Sequence, residues 1–246
     1  MREVIREQLG EEETCSYLPE QRSLTRYRIV EGCTPETYQR MLERGWRRFG
    51  PLFFRPMCVA CQECRSLRVE VDSFEPNRSM RRTLKRNEDL RVIVQQPTVT
   101  REHMQLYDRY HADMAGRKGW TLRQSDPIDY LLTFVEGHRT FGHEMLFFVE
   151  RRLVLVTLVD ILPRAISAVY TYYDPDERQR SLGVYSILRQ IELARSRQVP
   201  YLYLGYRVEG NASMRYKARY RPHQLLEGRP EFNEQPVWSA GPEIAV

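Results

Sequence analysis

Apolar and polar positions repeat with a helical period over residues 35–49, in the first well-patterned segment of the chain. The apolar members of this segment lie at helical spacing on one face: Tyr38, Met41, Leu42, Trp46 and Phe49. Thr34 followed by Pro35 is typical of a helix start, with a threonine N-cap and proline in the first turn. The pattern therefore predicts a helix over 35–49 that packs through its aromatic residues and exposes its arginines.

Other patterns complete the first hundred residues. The acidic segment 1–13 predicts a frayed terminus, and the Pro- and Cys-containing segment 51–64 predicts a loop. Strict alternation over 67–72 and an apolar run over 90–94 predict strands. The basic segment 78–87 predicts a short helix between them.

The second half follows a polar stretch at residues 95–98, which we take as the boundary between an N-terminal region, 1–97, and a second domain, 98–246. Periodicity there predicts helices over 100–114, 128–135 and 182–197 and strands over 145–150, 152–162, 165–173 and 199–206. A last short helix is expected to carry Tyr216, Lys217 and Tyr220. Short connections make the first three strands antiparallel neighbours. The fold class is α/β (α+β): a Cys-containing α+β region followed by a mixed-sheet domain.

Composition excludes several classes of protein. The 246 residues are 41% hydrophobic, enough for a core. Uninterrupted apolar runs are short, as at 153–156, whereas a bilayer span needs ~20 residues, so we expect no membrane partner. An odd number of cysteines and a start without an apolar signal segment favour a cytoplasmic protein with reduced thiols.

Positive charge is concentrated in one stretch. The chain carries a net charge of +5, and residues 40–91 contain 13 basic and 7 acidic side chains, so the rest is slightly acidic. Almost all of the cations are arginines, which suit bidentate contacts with phosphate or carboxylate. This stretch is either a polyanion-binding surface or an ordinary solvated face.

The element order of the second half resembles the fold of the N-acetyltransferase superfamily. In that superfamily a Gly-containing turn before a helix binds the pyrophosphate of coenzyme A, and residues 180–185 (RSLGVY) match it in part. Tyr185 replaces the final small residue, and bulk at that point would hinder a phosphate from approaching the helix N-terminus. We therefore expect the fold without coenzyme A binding.

Seven segments are more specific: 15–21 (CSYLPEQ), 45–50 (GWRRFG), 54–64 (FRPMCVACQEC), 78–82 (RSMRR), 167–175 (SAVYTYYDP), 203–206 (YLGY) and 214–217 (MRYK). Together they resemble the bacterial branch of the arginyltransferase-like aminoacyl-tRNA–protein transferases. The resemblance implies transfer of an amino acid, in this branch leucine, from its tRNA to the α-amine of proteins that begin with Asp or Glu. The product is thereby marked for degradation (an N-degron). The partners implied are aminoacyl-tRNA and those acceptor proteins.

Aminolysis of an ester needs a proton acceptor and a stabiliser for the developing oxyanion. Our candidate acid/base is Asp160, because it interrupts an apolar strand, where a carboxylate must be hydrogen-bonded or functional. Tyr170 and Lys217 are candidates for oxyanion or ribose contacts, and Lys217 is one of three lysines in the chain. A structural role for each of these residues is the alternative. The five histidines stand in no recognisable catalytic motif.

Substrate contacts are assigned to basic and aromatic residues. The cluster on the predicted basic helix would hold the acceptor carboxylate or the tRNA backbone: Arg78, Arg81 and Arg82. The resemblance adds three tyrosines to substrate binding: Tyr203, Tyr206 and Tyr216. Three further arginines are assigned to tRNA phosphates: Arg47, Arg48 and Arg86.

The cysteine spacing also matches a thiolate metal site. Cys58, Cys61 and Cys64 lie at intervals of three, and Cys15 supplies a fourth sulfur for zinc or an iron–sulfur cluster. Eukaryotic relatives carry a further cysteine where this chain has Leu18. We expect that no cofactor is required.

Three alternative functions remain at this stage: an arginyl instead of a leucyl donor, a coenzyme A-dependent N-acyltransferase, and a non-catalytic thiolate-metal RNA-binding module. Tyr185 and the basic stretch argue against the second. The third leaves the elaborate C-terminal half without a role.

Overall fold

The computed structural model describes residues 4–122, 125–136 and 140–242. His138, one of the five histidines, lies outside these residues. Within the described residues, no helix is both long enough and apolar enough to cross a bilayer.

The described residues form fourteen strands and six α-helices. The strands are β1 (Val4–Leu9), β2 (Glu13–Thr14), β3 (Arg22–Ser23), β4 (Thr25–Glu31), β5 (Arg47–Phe49), β6 (Leu52–Pro56), β7 (Arg65–Glu70), β8 (Arg91–Gln95), β9 (Gly142–Val149), β10 (Arg152–Leu162), β11 (Ala165–Tyr173), β12 (Tyr201–Arg207), β13 (His223–Leu226) and β14 (Trp238–Ala240). The helices are α1 (Pro35–Leu42), α2 (Arg78–Arg86), α3 (Arg101–Lys118), α4 (Pro127–Tyr130), α5 (Leu182–Ser196) and α6 (Ala212–Arg215). A π-helical turn, Leu131–Val135, extends α4, and 3-10 turns at Pro175–Arg180 and Tyr216–Arg219 precede α5 and follow α6.

One large mixed sheet of eight strands forms the centre of the molecule, in the order β14-β13-β7-β12-β11-β10-β9-β8. The meander β9-β10-β11 is antiparallel, as predicted, and β11 and β12 are parallel. The predicted α/β (α+β) class is therefore confirmed. Strands from before residue 97, β7 and β8, share this sheet with strands from after it; the division at residue 97 stays a prediction.

Helices cover the large sheet on both faces because its central strands are apolar on both sides. On β10, Leu158 packs towards α3 whereas its neighbour Val159 packs towards α2 and α5. A second, four-stranded sheet, β1-β4-β6-β5, packs with α1 near the end of β10, in a core that includes Tyr38 and Phe53. This small sheet brings the arginine-rich 45–50 segment against the large sheet.

The N-terminal region differs from the sequence prediction in three places. Helix α1 starts at the predicted Thr34 cap but ends at Leu42, because Gly45 turns the chain at φ +83° and β5 follows. The predicted frayed terminus instead contributes β1, which pairs with β4. The predicted loop 51–64 contains β6.

Candidate active site at a fork between two strands

The two parallel strands at the centre of the large sheet separate after three residues. β11 and β12 pair only from Ala165↔Tyr201 to Ser167↔Tyr203. Beyond that point β11 continues along β10, and β12 continues along β7 past a register shift between Tyr203 and Gly205. We call the gap between residues 168–173 of β11 and 204–207 of β12 the strand fork.

Two cations satisfy backbone carbonyls at the strand fork. Arg47 donates from Nη2 to the carbonyl oxygen of Ala168, and from Nη1 to Ser167 Oγ at 3.0 Å. Lys217 Nζ donates to the carbonyl oxygen of Tyr206 at 2.6 Å. Buried carbonyls in a continuous sheet are satisfied by the neighbouring strand. Here side chains replace that strand, so each edge of the fork carries a positive group.

Gly205 keeps the fork open next to the Arg47 guanidinium. It has φ +80°, a conformation that favours glycine, and an added Cβ would lie 3.6 Å from Arg47 Nε. A glycine at this position therefore lets the β12 backbone turn away from β11 while the guanidinium lies against it.

Lys217 is the titratable group best suited to accept a proton at the fork. It is 8% exposed, and burial, with a further contribution from the Arg47 cation, lowers the pKa of its ammonium to about 7. A large fraction of such a lysine is a neutral amine near neutral pH. Its place on the short turn after α6 is fixed by its hydrogen bond to the Tyr206 backbone.

The N-terminal segment reaches the same place. Asn211, which caps α6, donates from Nδ2 to the carbonyl oxygen of Tyr17 at 2.9 Å. Burial and the neighbouring Cys64 and Cys15 thiols raise the pKa of the Tyr17 hydroxyl, while the Arg47 cation opposes them. Sequence reasoning did not single out Tyr17, although it lies in the 15–21 segment.

Six of the seven segments named from the sequence thus meet at or beside the strand fork: 15–21, 45–50, 54–64, 167–175, 203–206 and 214–217. They come from both ends of the chain, and it is the fold that brings them together. This convergence identifies the fork as the candidate active site.

The four cysteines of the predicted metal site lie beside the fork as free thiols. Burial and the nearby Cys58, Cys15 and Cys61 raise the pKa of Cys64 to about 12. Across the described ranges, no group of three or more His, Cys, Asp or Glu side chains is arranged to hold a metal ion. We route no chemical step through a metal, and the metal site predicted from the cysteine spacing stays a prediction. Whether a cofactor is required stays a prediction.

Asp160 lies inside the protein rather than in the fork. Its carboxylate is fully buried and accepts two hydrogen bonds from Arg48, one of them from Nε at 3.0 Å. The Arg48 guanidinium also lies 5.1 Å from the centre of the Phe141 ring. This pair joins β5 to β10, an arrangement that fits a structural role; the acid/base role of Asp160 stays a prediction.

Other residues predicted to contact substrates are also buried. Arg47 and Arg48, predicted to bind tRNA phosphates, are 7% and 6% exposed and have internal partners. Tyr203 accepts a hydrogen bond from Arg68, and Tyr206 donates to the carbonyl oxygen of Gly45 at 2.7 Å; both rings are buried. These four residues shape the site through internal partners, and their assignment to substrate contacts stays a prediction.

Tyr170 and Tyr216 remain accessible. Tyr216 precedes Lys217 and is 37% exposed. Tyr170 is half-buried on β11, and its hydroxyl lies 2.9 Å from His111 Nε2. Burial raises the pKa of Tyr170 and lowers that of His111, so both are neutral at pH 7. Nothing in the sequence pointed to His111, because its partner is 59 residues away in the chain.

The basic helix α2 lies away from the fork. It packs with α5 on the opposite face of the large sheet from α3 and the small sheet. Arg78, Arg81 and Arg82 are exposed, and none forms an ion pair within the residues that the structure covers. Arg86, also exposed, donates to the carbonyl oxygen of Gln179. The cluster is therefore a surface cation patch rather than part of the fork.

The turn before α5 is covered by charged side chains. Arg180 donates to the Asp89 carboxylate at 2.8 and 3.0 Å, and to Glu177 at 2.7 Å. Tyr185, expected to fill the turn, points into the core instead, where its hydroxyl donates to the carbonyl oxygen of Asn87. The carboxylates beside the turn are paired with arginines, and the bulk of Tyr185 lies in the core rather than in the turn.

Comparisons with known proteins identify a family. Residues 102–227 match the family described as "Arginine-tRNA-protein transferase, C terminus", and residues 13–82 match its N-terminal counterpart. The chain is 42% identical over 229 residues to an aspartate/glutamate leucyltransferase of Helicobacter hepaticus, covering 93% of this chain and 95% of that protein. It is 40% identical over 228 residues to a protein of the same name from Campylobacter jejuni, covering 92% and 95%. A solved fungal GCN5-related glucosamine N-acetyltransferase region has a TM-score of 0.43 at 11% identity, covering 77% of this chain and 21% of that one.

Proposed function

The chain belongs to the arginine-tRNA–protein transferase family, and from that premise we propose that it transfers leucine from leucyl-tRNA to the α-amine of proteins with N-terminal Asp or Glu. It is an aminoacyltransferase, and the names of its relatives favour a leucyl over an arginyl donor. The observation that carries the proposal is the convergence of six separate segments on the strand fork.

The fork supplies the two groups that aminolysis needs. Arg47 at the β11 edge and Lys217 at the β12 edge place N–H donors on the two sides of the fork, where the oxyanion of a tetrahedral intermediate would form. The amine nitrogen attacks the ester carbonyl carbon, and the bond to the ribose oxygen then breaks. We propose that neutral Lys217 accepts the proton that the attacking amine loses. The resulting ammonium group then donates this proton to the leaving ribose oxygen.

Positioning contributes the larger part of the expected acceleration. An α-amine has a pKa of ~7.7–8.0, so a fraction is already nucleophilic at neutral pH. Holding amine and ester together in a reactive geometry lowers a barrier by ~7–11 kcal/mol. The fork has one face closed by the small sheet, which suits this role.

The proposal also includes the fate of the product. We assign degradation of the leucylated protein from the sequence resemblance, and a cytoplasmic location from the odd number of cysteines. Neither is needed for the chemistry at the fork.

A donor and acceptor matrix tests the proposed function. Purified protein is incubated with radiolabelled leucyl-tRNA or arginyl-tRNA and with peptides that begin with Asp, Glu, Ala or Lys. We expect leucine to enter only the Asp and Glu peptides. Arginine incorporation would correct the donor, and the absence of transfer from either tRNA would reject the function.

The exposed arginines of α2 are assigned to the tRNA backbone, because they lie outside the fork. Substitution of Arg78, Arg81 and Arg82 by glutamine is expected to weaken tRNA binding. It should also reduce the magnitude of the slope of log affinity against log salt concentration by about 2–3, because each phosphate that is no longer neutralised reduces it by ~0.7–0.9. The measurement is filter binding of tRNA between low and physiological salt.

Arg197→Gln, an exposed arginine just after α5, is the matched control for a single α2 substitution such as Arg82→Gln. Equal salt slopes for these two variants would remove α2 from the tRNA surface. An unchanged slope with loss of the preference for Asp and Glu peptides would instead assign the cluster to the acceptor carboxylate.

A further inference from the structure

An exposed apolar surface lies beside the strand fork. Phe49 stacks on Phe54 with ring centres 5.4 Å apart, and its edge meets Phe134 at 6.1 Å and Tyr170 at 6.5 Å. Phe134 and Tyr170 stack on each other at 5.3 Å. We call these four rings the apolar wall.

The apolar wall has one exposed edge, at Phe49; Phe54 and Tyr170 are half-buried, and Phe134 is buried at 8%. Phe49 is 38% exposed, and two leucines near it, Leu52 at 37% and Leu132 at 53%, are exposed as well. Leu52 pairs with Phe49 across β5 and β6, and the backbone of Leu132 lies against Gly50. Contiguous exposed apolar side chains of this kind mark a binding surface more often than isolated ones do.

The register of the strands fixes the distance between the wall and the fork. Arg47 contacts the Ala168 carbonyl, and Phe49 and Tyr170 lie two residues further along β5 and β11. Two residues of a strand span ~7 Å. Arg47 pairs with Phe54 on β6 and Phe49 with Leu52, so the Arg47 side chain and the wall share one face of the small sheet.

We propose that the apolar wall binds the side chain of the donor amino acid and thereby selects leucine; this inference rests on the proposed function. Four carbon–carbon bonds of ~1.5 Å separate the leucyl carbonyl carbon from its methyl groups, so the side chain extends ~5 Å from the reacting ester. With the ester at the fork, its methyl groups reach van der Waals contact with Phe49 and Tyr170.

The chemistry of the wall favours an aliphatic side chain. Three of its four rings have no polar atom, and the fourth, Tyr170, has its hydroxyl engaged with His111. An arginyl guanidinium lying on this wall gains contact with rings but not the carboxylate that would match its N–H groups. An alanyl side chain is too short to reach the wall from the fork.

The test changes the side chain of the enzyme and of the donor together. One tRNA-Leu is charged with leucine, with alanine or with arginine, and kcat/KM is measured for wild-type and Phe49→Ala protein with an Asp-initiated peptide. We expect Phe49→Ala to lower the leucyl rate about tenfold, a loss typical of an apolar pocket, and to change the alanyl rate by less than about twofold. Phe49→Leu is expected to restore most of the leucyl preference.

Matched controls separate the possible failures. Val237, 59% exposed just before the edge strand β14, is substituted by alanine and should change neither rate. Leu132→Ala gives a second measurement at the rim of the wall, should Phe49→Ala fail to fold. Equal losses of kcat/KM with the leucyl and alanyl esters, or an arginyl ester that reacts as fast as the leucyl ester, would overturn the inference. Absence of transfer by the wild-type protein from either ester would reject the proposed function instead.

Discussion

Replacement of Lys217 by methionine is expected to lower kcat for leucyl transfer by about 100- to 10,000-fold, the contribution typical of a positioned proton acceptor. Lys217 is buried at the fork and bonded to the Tyr206 backbone, which makes it the proton acceptor available there. The measurement is single-turnover transfer with saturating leucyl-tRNA and peptide. Lys118→Met, at an exposed lysine, is the control and should leave kcat unchanged.

The pH profile gives this prediction its sharpest test. Because burial lowers the pKa of Lys217 to about 7, the wild-type rate should rise as pH increases through 7. In Lys217→Met only the limb set by the acceptor amine, near ~7.7–8.0, should remain. A variant that keeps the limb near 7 would show that another group accepts the proton.

The pH dependence of folding stability should also depend on Lys217, and the direction of its pKa shift fixes the sign of this dependence. The Lys217 pKa is depressed on folding, so between about 7 and its ordinary value near 10.5 the unfolded chain binds a proton that the folded chain does not. Stability therefore falls as pH drops through this range and levels off below about 7. Lys217→Met should lack this dependence.

Breaking the Arg48–Asp160 pair should give the largest loss of stability. Removal of one partner leaves a buried charge without its counterion, which costs about 3–5 kcal/mol. We expect Arg48→Met and Asp160→Leu to lose this much in the free energy of unfolding, measured by urea denaturation at pH 7. The double variant should recover a large part of the loss, because neither charge then remains.

The control is the exposed pair Arg189–Glu192 on α5, where Glu192→Ala should cost less than about 1 kcal/mol. If Asp160 were the catalytic base, Asp160→Leu would abolish transfer in a protein of normal stability. Full stability of either single variant would contradict the structural role.

Local pattern was sufficient for elements whose signals lie next to each other in the chain. The Thr34 cap, the basic helix α2 and the meander β9-β10-β11 needed no distant partner, and the structure contains all of them. The end of α1 was predicted wrongly because Trp46 and Phe49 continue the helical spacing after Gly45 has already turned the chain. Their apolar spacing fits a helix, but the two side chains lie in a turn and in β5.

The sequence indicated which segments form the site, but not the role of each residue within it. Charge suggested that Arg47 and Arg48 face solvent, whereas their partners, Ala168 and Asp160, lie more than a hundred residues away in sequence. Only the fold shows that these cations are enclosed. The rarity of lysine did single out Lys217, although the lowered pKa depends on burial that no local pattern reveals.

The position of β7 governs how the chain acquires this site during synthesis. β7 is made early, yet both of its neighbours in the sheet, β12 and β13, come from the last quarter of the chain. Its edges therefore stay without partners until residues 201–226 have left the ribosome, and contacts of such sequence separation form slowly. Two fragments produced by a cut between β8 and α3 should each expose unpaired sheet edges, and should form a continuous sheet only when they are mixed. The strand fork therefore forms last, when the two ends of the polypeptide associate.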